Sequence, residues 1–230
     1  MKNYLLCAIL SFAAISCSTE AEVDPSVTSD SNPSILHTKS QIPHNNANPF
    51  EGRGKEYFDL LTIYLDANKV PNSASEMTEQ IKFMFQNYDT RLYTSRSTAS
   101  LTSKQVTMVL SEPEKQLIAI LENGSLSSEV KEELIHFVQA LLTQQDSEYV
   151  EQYNYIVSYE TTILENKTLS AVEKETIFSV SSVSRYALYA NSKHRDRDWE
   201  ISVANRKAQP AFNSYKATII SVILLSKKLL

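Results

Sequence analysis

The apolar positions of this chain fall into three regimes. Residues 4–15 form one short apolar run broken only by Ser11, and from 18 to 49 the apolar residues are isolated and follow no period. From Gly54 onward they recur at three- and four-residue spacing, which turns one face of a helix toward a core. Tyr57, Phe58, Leu61, Tyr64 and Leu65 predict a first helix, stopped by residues 68–71. Met77, Ile81, Met84, Phe85 and Tyr88 predict a second, opened by Ser73 and Glu76 as a capping box, with its methionines as core filler. Residues 89–101 are polar and read as the longest loop inside the domain, followed by a short helix through Val106, Met108, Val109 and Leu110.

The central part repeats this logic. Ser111 as cap and Pro113 in the first turn open a helix with Leu117, Ile118, Ile120 and Leu121 on its core face, closed by Gly124. Ser127 or Ser128 starts the next, through Val130, Leu134, Phe137, Val138, Leu141 and Leu142. Asp146 caps a tyrosine-rich helix carrying Tyr149, Tyr153, Ile156, Tyr159 and Ile163. Ser170, three residues before Glu173, begins a helix through Ile177, Val180, Val183, Tyr186, Ala187 and Ala190. Residues 193–198 are a mixed-charge run, read as a solvated helix end with Trp199 anchoring the return to the core. Residues 217–225 are apolar apart from Thr218 and Ser221. They are too short to span a membrane and admit a final core helix, a strand or an exposed tail. The expected fold is all-α: an irregular bundle of about six to eight helices over residues 53–230, after a disordered N-terminal spacer.

The amino-terminal run has a different character. Lys2 precedes it, and it falls short of the roughly 20 apolar residues of a spanning helix, which describes a secretory signal peptide. Ala14 and Ser16 would suit an ordinary signal peptidase. Residues 13–17, Ala-Ala-Ile-Ser-Cys, also resemble the lipobox of bacterial lipoproteins, with Ala14 standing where that family usually has Leu. The resemblance implies a signal peptide over 1–16 and acylation of Cys17, a palmitate-type anchor that becomes the mature N-terminus. The polar, acidic residues 18–24 suit a tether leaving a membrane. Several acyl chains would hold firmly, because each buried methylene contributes roughly 0.8 kcal/mol. Residues 17–52 are therefore expected to be a lipid-anchored flexible spacer, and residues 18–49 hold four of the seven prolines.

Composition narrows the chemistry. Three glycines in 230 residues disfavour sandwiches, barrels and nucleotide-binding loops. Both cysteines, Cys7 and Cys17, lie in the export segment, so the folded part must be stable through its core alone. Cleavage before Cys17 leaves 21 Lys and Arg against 27 Asp and Glu, a charge of −6, and nucleic acid is excluded as an expected partner. His37 and His44 sit in the spacer without Cys or an acidic cluster, so no metal site is read there. Glu132, Glu133 and His136 share a helix face but have no second histidine nearby, and read as a surface pair. The tyrosines at 149, 153, 155 and 159 span more than one face. They line a helical core with hydroxyls at its rim, or form a stacking or sugar-binding strip. Tyr153, Tyr155, Tyr159 and Trp199 are the candidate ligand or partner surface. No catalytic, cofactor-binding or metal-ligating residue is assigned.

Several segments together resemble a group of exported lipoproteins of Bacteroidota that carry no assigned activity. They are the lipobox-like leader, Asn48-Pro49-Phe50 ahead of a Gly-containing first helix, residues 169–174 (Leu-Ser-Ala-Val-Glu-Lys) and residues 181–186 (Ser-Ser-Val-Ser-Arg-Tyr). The resemblance implies an all-helical exported protein and supplies no catalytic residues. The expected function is that of a lipid-anchored cell-envelope protein, attached to the outer membrane through Cys17 on either face, with a binding or scaffolding role toward an envelope protein or glycan. The alternatives are an immunity-like or envelope-complex subunit docking through its apolar C-terminus, and a carboxylate-based hydrolase.

Overall fold

The computed structural model describes the backbone of residues 42–88, 101–202 and 213–229, with their side chains outside 195–202, 214 and 225–229. The chain separates into two units, Met1–Lys39 and Ser40–Leu230, and every described residue belongs to the second. Cys17 and residues 89–100 of the loop predicted over 89–101 thus lie outside the described residues. The fold is all-α. Its helices are α1 (Glu51–Ala67), α2 (Ala74–Asn87), α3 (Ser103–Ser111), α4 (Pro113–Glu122), α5 (Ser128–Thr143), α6 (Tyr149–Glu165), α7 (Ala171–Ser202) and α8 (Ser214–Leu229).

Residues 176–188 of α7 are buried without a break. A helix enclosed on all sides is ordinarily apolar all round, yet α7 buries Ser179, Ser181, Ser182, Ser184 and Arg185 beside Ile177, Phe178, Val180 and Val183. Most of these short hydroxyls find a nearby acceptor, while Ser179 Oγ has no partner among the described residues. Ser184 Oγ donates to the Val180 carbonyl of its own helix at 2.8 Å, Ser181 Oγ to Glu160 and Ser182 Oγ to the Glu51 carbonyl. Their small size also lets neighbours approach. Helices α1, α6 and α8 pack along α7, and α8 in turn touches α2, α3, α4 and α5. Within α8, Ala217, Ile219, Ile220, Val222, Ile223 and Leu224 are buried, so this segment is a core helix, neither strand nor exposed tail. Its β-branched residues are only weakly unfavourable in a helix, and contact with several neighbours outweighs that preference.

Most helix starts fall where the caps predicted them. Ser127 Oγ accepts from Val130 N at 3.4 Å. Ser73 Oγ accepts from Glu76 N at 3.3 Å, while the Glu76 carboxylate reaches one residue further back than a standard box, to Asn72 N at 2.8 Å. Two caps differ from expectation. Ser111 ends α3, its hydroxyl donating to the Met108 carbonyl at 3.0 Å, and Glu112 joins α3 to α4. Pro113 forces that junction by moving Glu112 off the helical backbone, to φ −134° and ψ 62°. Helix α6 starts from Glu148 instead of Asp146, because the buried Gln152 amide donates back to the carbonyls of Gln144 and Ser147 and closes a turn there.

Two boundaries also shift. Residues 42–52, expected to end the spacer, belong to the packed domain: Asn48 is buried and α1 begins at Glu51. Helix α7 runs on to Ser202, so the backbone of the mixed-charge run continues the helix.

The Ser170–Glu173 capping box forms fully: Ser170 Oγ accepts from Glu173 N at 3.3 Å and the Glu173 carboxylate accepts from Ser170 N at 3.0 Å. Hydrogen bonding from Ser127, then from Ser170, holds the Glu173 carboxyl down at about 2. A group whose folded-state pKa lies below its ordinary value of about 4.3 stabilises the fold above that value, and this is lost as pH falls through the folded pKa. Thermal melts of Glu173→Gln are therefore expected to start from a lower midpoint at pH 7 and to fall less steeply than wild type from pH ~4.3 to pH ~2. Parallel pH profiles for the two proteins would rule this out.

Candidate functional site

Two places in the bundle gather polar groups inside an apolar surround. The first centres on Arg185, which is fully buried. Its Nε donates to Glu160 Oε1 at 3.2 Å, its Nη1 to Glu51 Oε1 at 3.3 Å and to the Pro43 carbonyl, and its Nη2 to Glu51 Oε2. Glu160, 2% exposed, also accepts from Asn48 Nδ2 at 2.6 Å and Ser181 Oγ at 2.7 Å, and its other oxygen accepts from Asn45 Nδ2 at 2.6 Å. His44 Nδ1 lies 3.1 Å from Glu51 Oε1.

Burial pulls down the proton affinity of Arg185, but the hydrogen bond to Glu51 and the charges of Glu160 and Glu51 outweigh it and leave the affinity above its ordinary value. Burial likewise pushes the Glu51 carboxyl up, and the Arg185 hydrogen bond and charge overcome this and hold it below its ordinary value. An acid catalyst in a hydrolase needs the opposite, a carboxyl held protonated by a raised pKa. The cluster is a closed brace. It fastens residues 43–51 to α6 and α7 by satisfying every charge it buries.

The second place is a cleft among α1, α2, α7 and α8, with a volume of about 120 Å³. Leu61, Leu65, Val70, Met77, Ala187 and Ala190 form its apolar wall, and Tyr57, Gln80, Asn191, His194, Thr218 and Ser221 bring polar groups to it. Ser221 Oγ donates to the Thr218 carbonyl at 2.9 Å, so the 3.3 Å contact between Tyr57 and Ser221 uses the Tyr57 proton. Burial pushes that phenol up to about 12, which keeps it neutral. Gln80 is 9% exposed, and its side-chain amide has no hydrogen-bond partner among the described residues.

The predicted tyrosine surface separates into pieces. Tyr153, Tyr155 and Tyr159 are half-buried with their rings on the core. Tyr155 and Tyr159 stack on Phe137 of α5, at centroid distances of 6.1 and 4.6 Å. Tyr153 donates its hydroxyl to the His44 carbonyl at 2.8 Å, and Tyr149 donates to the Arg185 carbonyl at 3.4 Å. These rings join α6 to α5, α7 and the entering chain, and the Tyr159 hydroxyl is buried without a hydrogen-bond partner among the described residues. The side chain of Trp199 and all of Cys17 lie outside the described residues. His136 is exposed, and among the described residues no three His, Cys, Asp or Glu side chains converge in a metal-holding group.

Sequence reasoning missed Glu160, Arg185 and Gln80 as buried polar groups. A signal for two of them was present. Glu160 occupies the α6 core stripe between Ile156 and Ile163, and Gln80 sits on the α2 stripe between Met77 and Ile81. A polar residue on an otherwise apolar stripe is the informative exception. In comparisons with protein-family models, curated proteins and solved structures, nothing matches this chain.

Proposed function

We propose that this chain is a lipid-anchored cell-envelope protein whose helical domain works by binding or scaffolding. The observation that carries this reading is the leader: a cation, a short apolar run and small residues ending at Cys17, followed by a polar, acidic tether. The resemblance to exported lipoproteins of Bacteroidota, and attachment to the outer membrane, belong to the same proposal. A binding role draws support from the cleft, where apolar walls surround a few placed polar groups, as small-ligand sites do. The reading in which an apolar C-terminus docks on an envelope partner loses its feature, because Ala217 and Ile219 to Leu224 are buried in the bundle.

The test is metabolic labelling with a palmitate analogue in cells expressing wild type or Cys17→Ala. Wild type is expected to carry the label and fractionate with membranes, and the variant to lose both. Labelling that survives the substitution overturns the lipoprotein reading.

A further inference from the structure

We propose that the cleft among α1, α2, α7 and α8 binds a small neutral ligand of about one ring whose head offers both a hydrogen-bond donor and an acceptor, as a carboxamide or lactam does. This deepens the binding role proposed above and rests on it. Size comes first. The cleft holds about 120 Å³, close to the engineered apolar cavity of about 150 Å³ that takes up benzene. A single ring or a short chain fills this volume.

Charge comes next. Among the described lining residues there is no Asp, Glu, Lys or Arg. A cationic ligand would find no described carboxylate there and an anionic one at most the His194 imidazole, while a neutral ligand loses little on leaving water. A purely apolar ligand fails for a different reason. Gln80 is nine-tenths buried and lines the cleft, and its amide, without a partner among the described residues, keeps enough exposure to meet water there. A carboxamide presents an N–H₂ donor and a carbonyl acceptor, and a hydrocarbon in the cleft would strip it of water and return nothing.

The remaining polar groups agree. Asn191 brings a second carboxamide from α7. The Ser221 proton is committed to the Thr218 carbonyl and the Tyr57 proton to Ser221, so the Tyr57–Ser221 pair offers only lone pairs to the cleft. The complement to two amides and a lone-pair acceptor is a head with its own N–H and C=O. The apolar body of the ligand then lies against Leu61, Leu65, Met77 and Ala187.

The test titrates the ¹⁵N-labelled full-length chain with benzamide, benzoate, benzylamine and toluene, following side-chain amide resonances. Benzamide is expected to shift the Gln80 and Asn191 N–H₂ signals saturably, and to bind about tenfold or more tighter than the other three probes. Gln80→Leu, which matches the apolar wall, is expected to reverse the order of benzamide and toluene. The proposal falls if benzamide does not saturate, if a charged probe binds as well, if the shifts map away from the cleft, or if Gln80→Leu keeps the wild-type order. Should that variant not fold, the wild-type ranking of the four probes decides alone. Acylation of Cys17 is read independently of these titrations, so failure of the ligand class and failure of the anchor are separate results.

Discussion

Arg185→Met is expected to lower the free energy of unfolding by about 3–5 kcal/mol, the range for removing one partner of a buried ion pair. Methionine fills part of the aliphatic stem, so the loss is chiefly electrostatic. It leaves Glu160, 2% exposed, and Glu51, its side chain 14% exposed, as carboxylates without their cation, and it releases the Pro43 carbonyl. Urea denaturation reads the stability directly. The deficit should also be larger at pH 8 than at pH 4, because without Arg185 the folded state gains by protonating these carboxyls. The variant's stability then falls as pH rises relative to wild type. Glu160→Gln is expected to cost less, about 1–3 kcal/mol, because Arg185 keeps Glu51. The double variant should lose less than the two single losses added, since no unpaired charge is left at Glu160. A loss for Arg185→Met below about 1 kcal/mol, or strict additivity, would show that the cluster does not act as one unit.

The helices were largely legible because their signals are local. Caps such as Ser127 and Ser170, Pro113 in the first turn of its helix and the three- and four-residue apolar spacing each act within a turn or two of chain. Helix α8 was less legible, because Ile219, Ile220, Val222 and Ile223 suit a strand by propensity, and only enclosure by five other helices settles them as helix. The polar face of α7 was opaque for a related reason. Ser179, Ser181, Ser182 and Ser184 lie off the apolar stripe of Ile177, Val180 and Val183, and nothing within the helix says that α1 and residues 43–51 will cover them. The pairing of Arg185 with Glu160 and Glu51 crosses 25 and 134 positions of sequence, beyond any periodic signal.

The same distance hid the folded role of residues 43–50. Proline and asparagine there match a spacer in composition, and they order only because Asn45 and Asn48 satisfy Glu160 while the Pro43 carbonyl meets Arg185. Asn48 Oδ1 then accepts from Phe50 N at 2.8 Å and turns the chain into α1. Disorder-like composition describes what a segment buries by itself. Here a buried cluster elsewhere supplies the partners.

Gly54→Ala is expected to destabilise by about 2–3 kcal/mol, against the direction that helix propensity alone would give. Ala is favoured over Gly inside a helix by about 1 kcal/mol, so the steric loss must exceed that gain. A Cβ at Gly54 would sit 2.5 Å from the Ser182 carbonyl oxygen and would also collide with Ser182 Oγ and Tyr186 Cδ2. The carbonyl belongs to the buried middle of α7 and cannot swing aside as a side-chain tip can. Moving α1 away instead would break the hydrogen bonds that Ser182 Oγ makes with the α1 backbone: it accepts from Gly54 N at 3.0 Å and donates to the Glu51 carbonyl at 3.2 Å. Gly52 provides the control, since a Cβ there meets nothing within 4 Å. Gly52→Ala is expected to be neutral or to stabilise by up to about 1 kcal/mol. Chemical denaturation should therefore move the Gly54→Ala midpoint below wild type and leave the Gly52→Ala midpoint at or above it. Equal shifts would mean that the close approach of α1 to α7 is not what requires glycine at position 54.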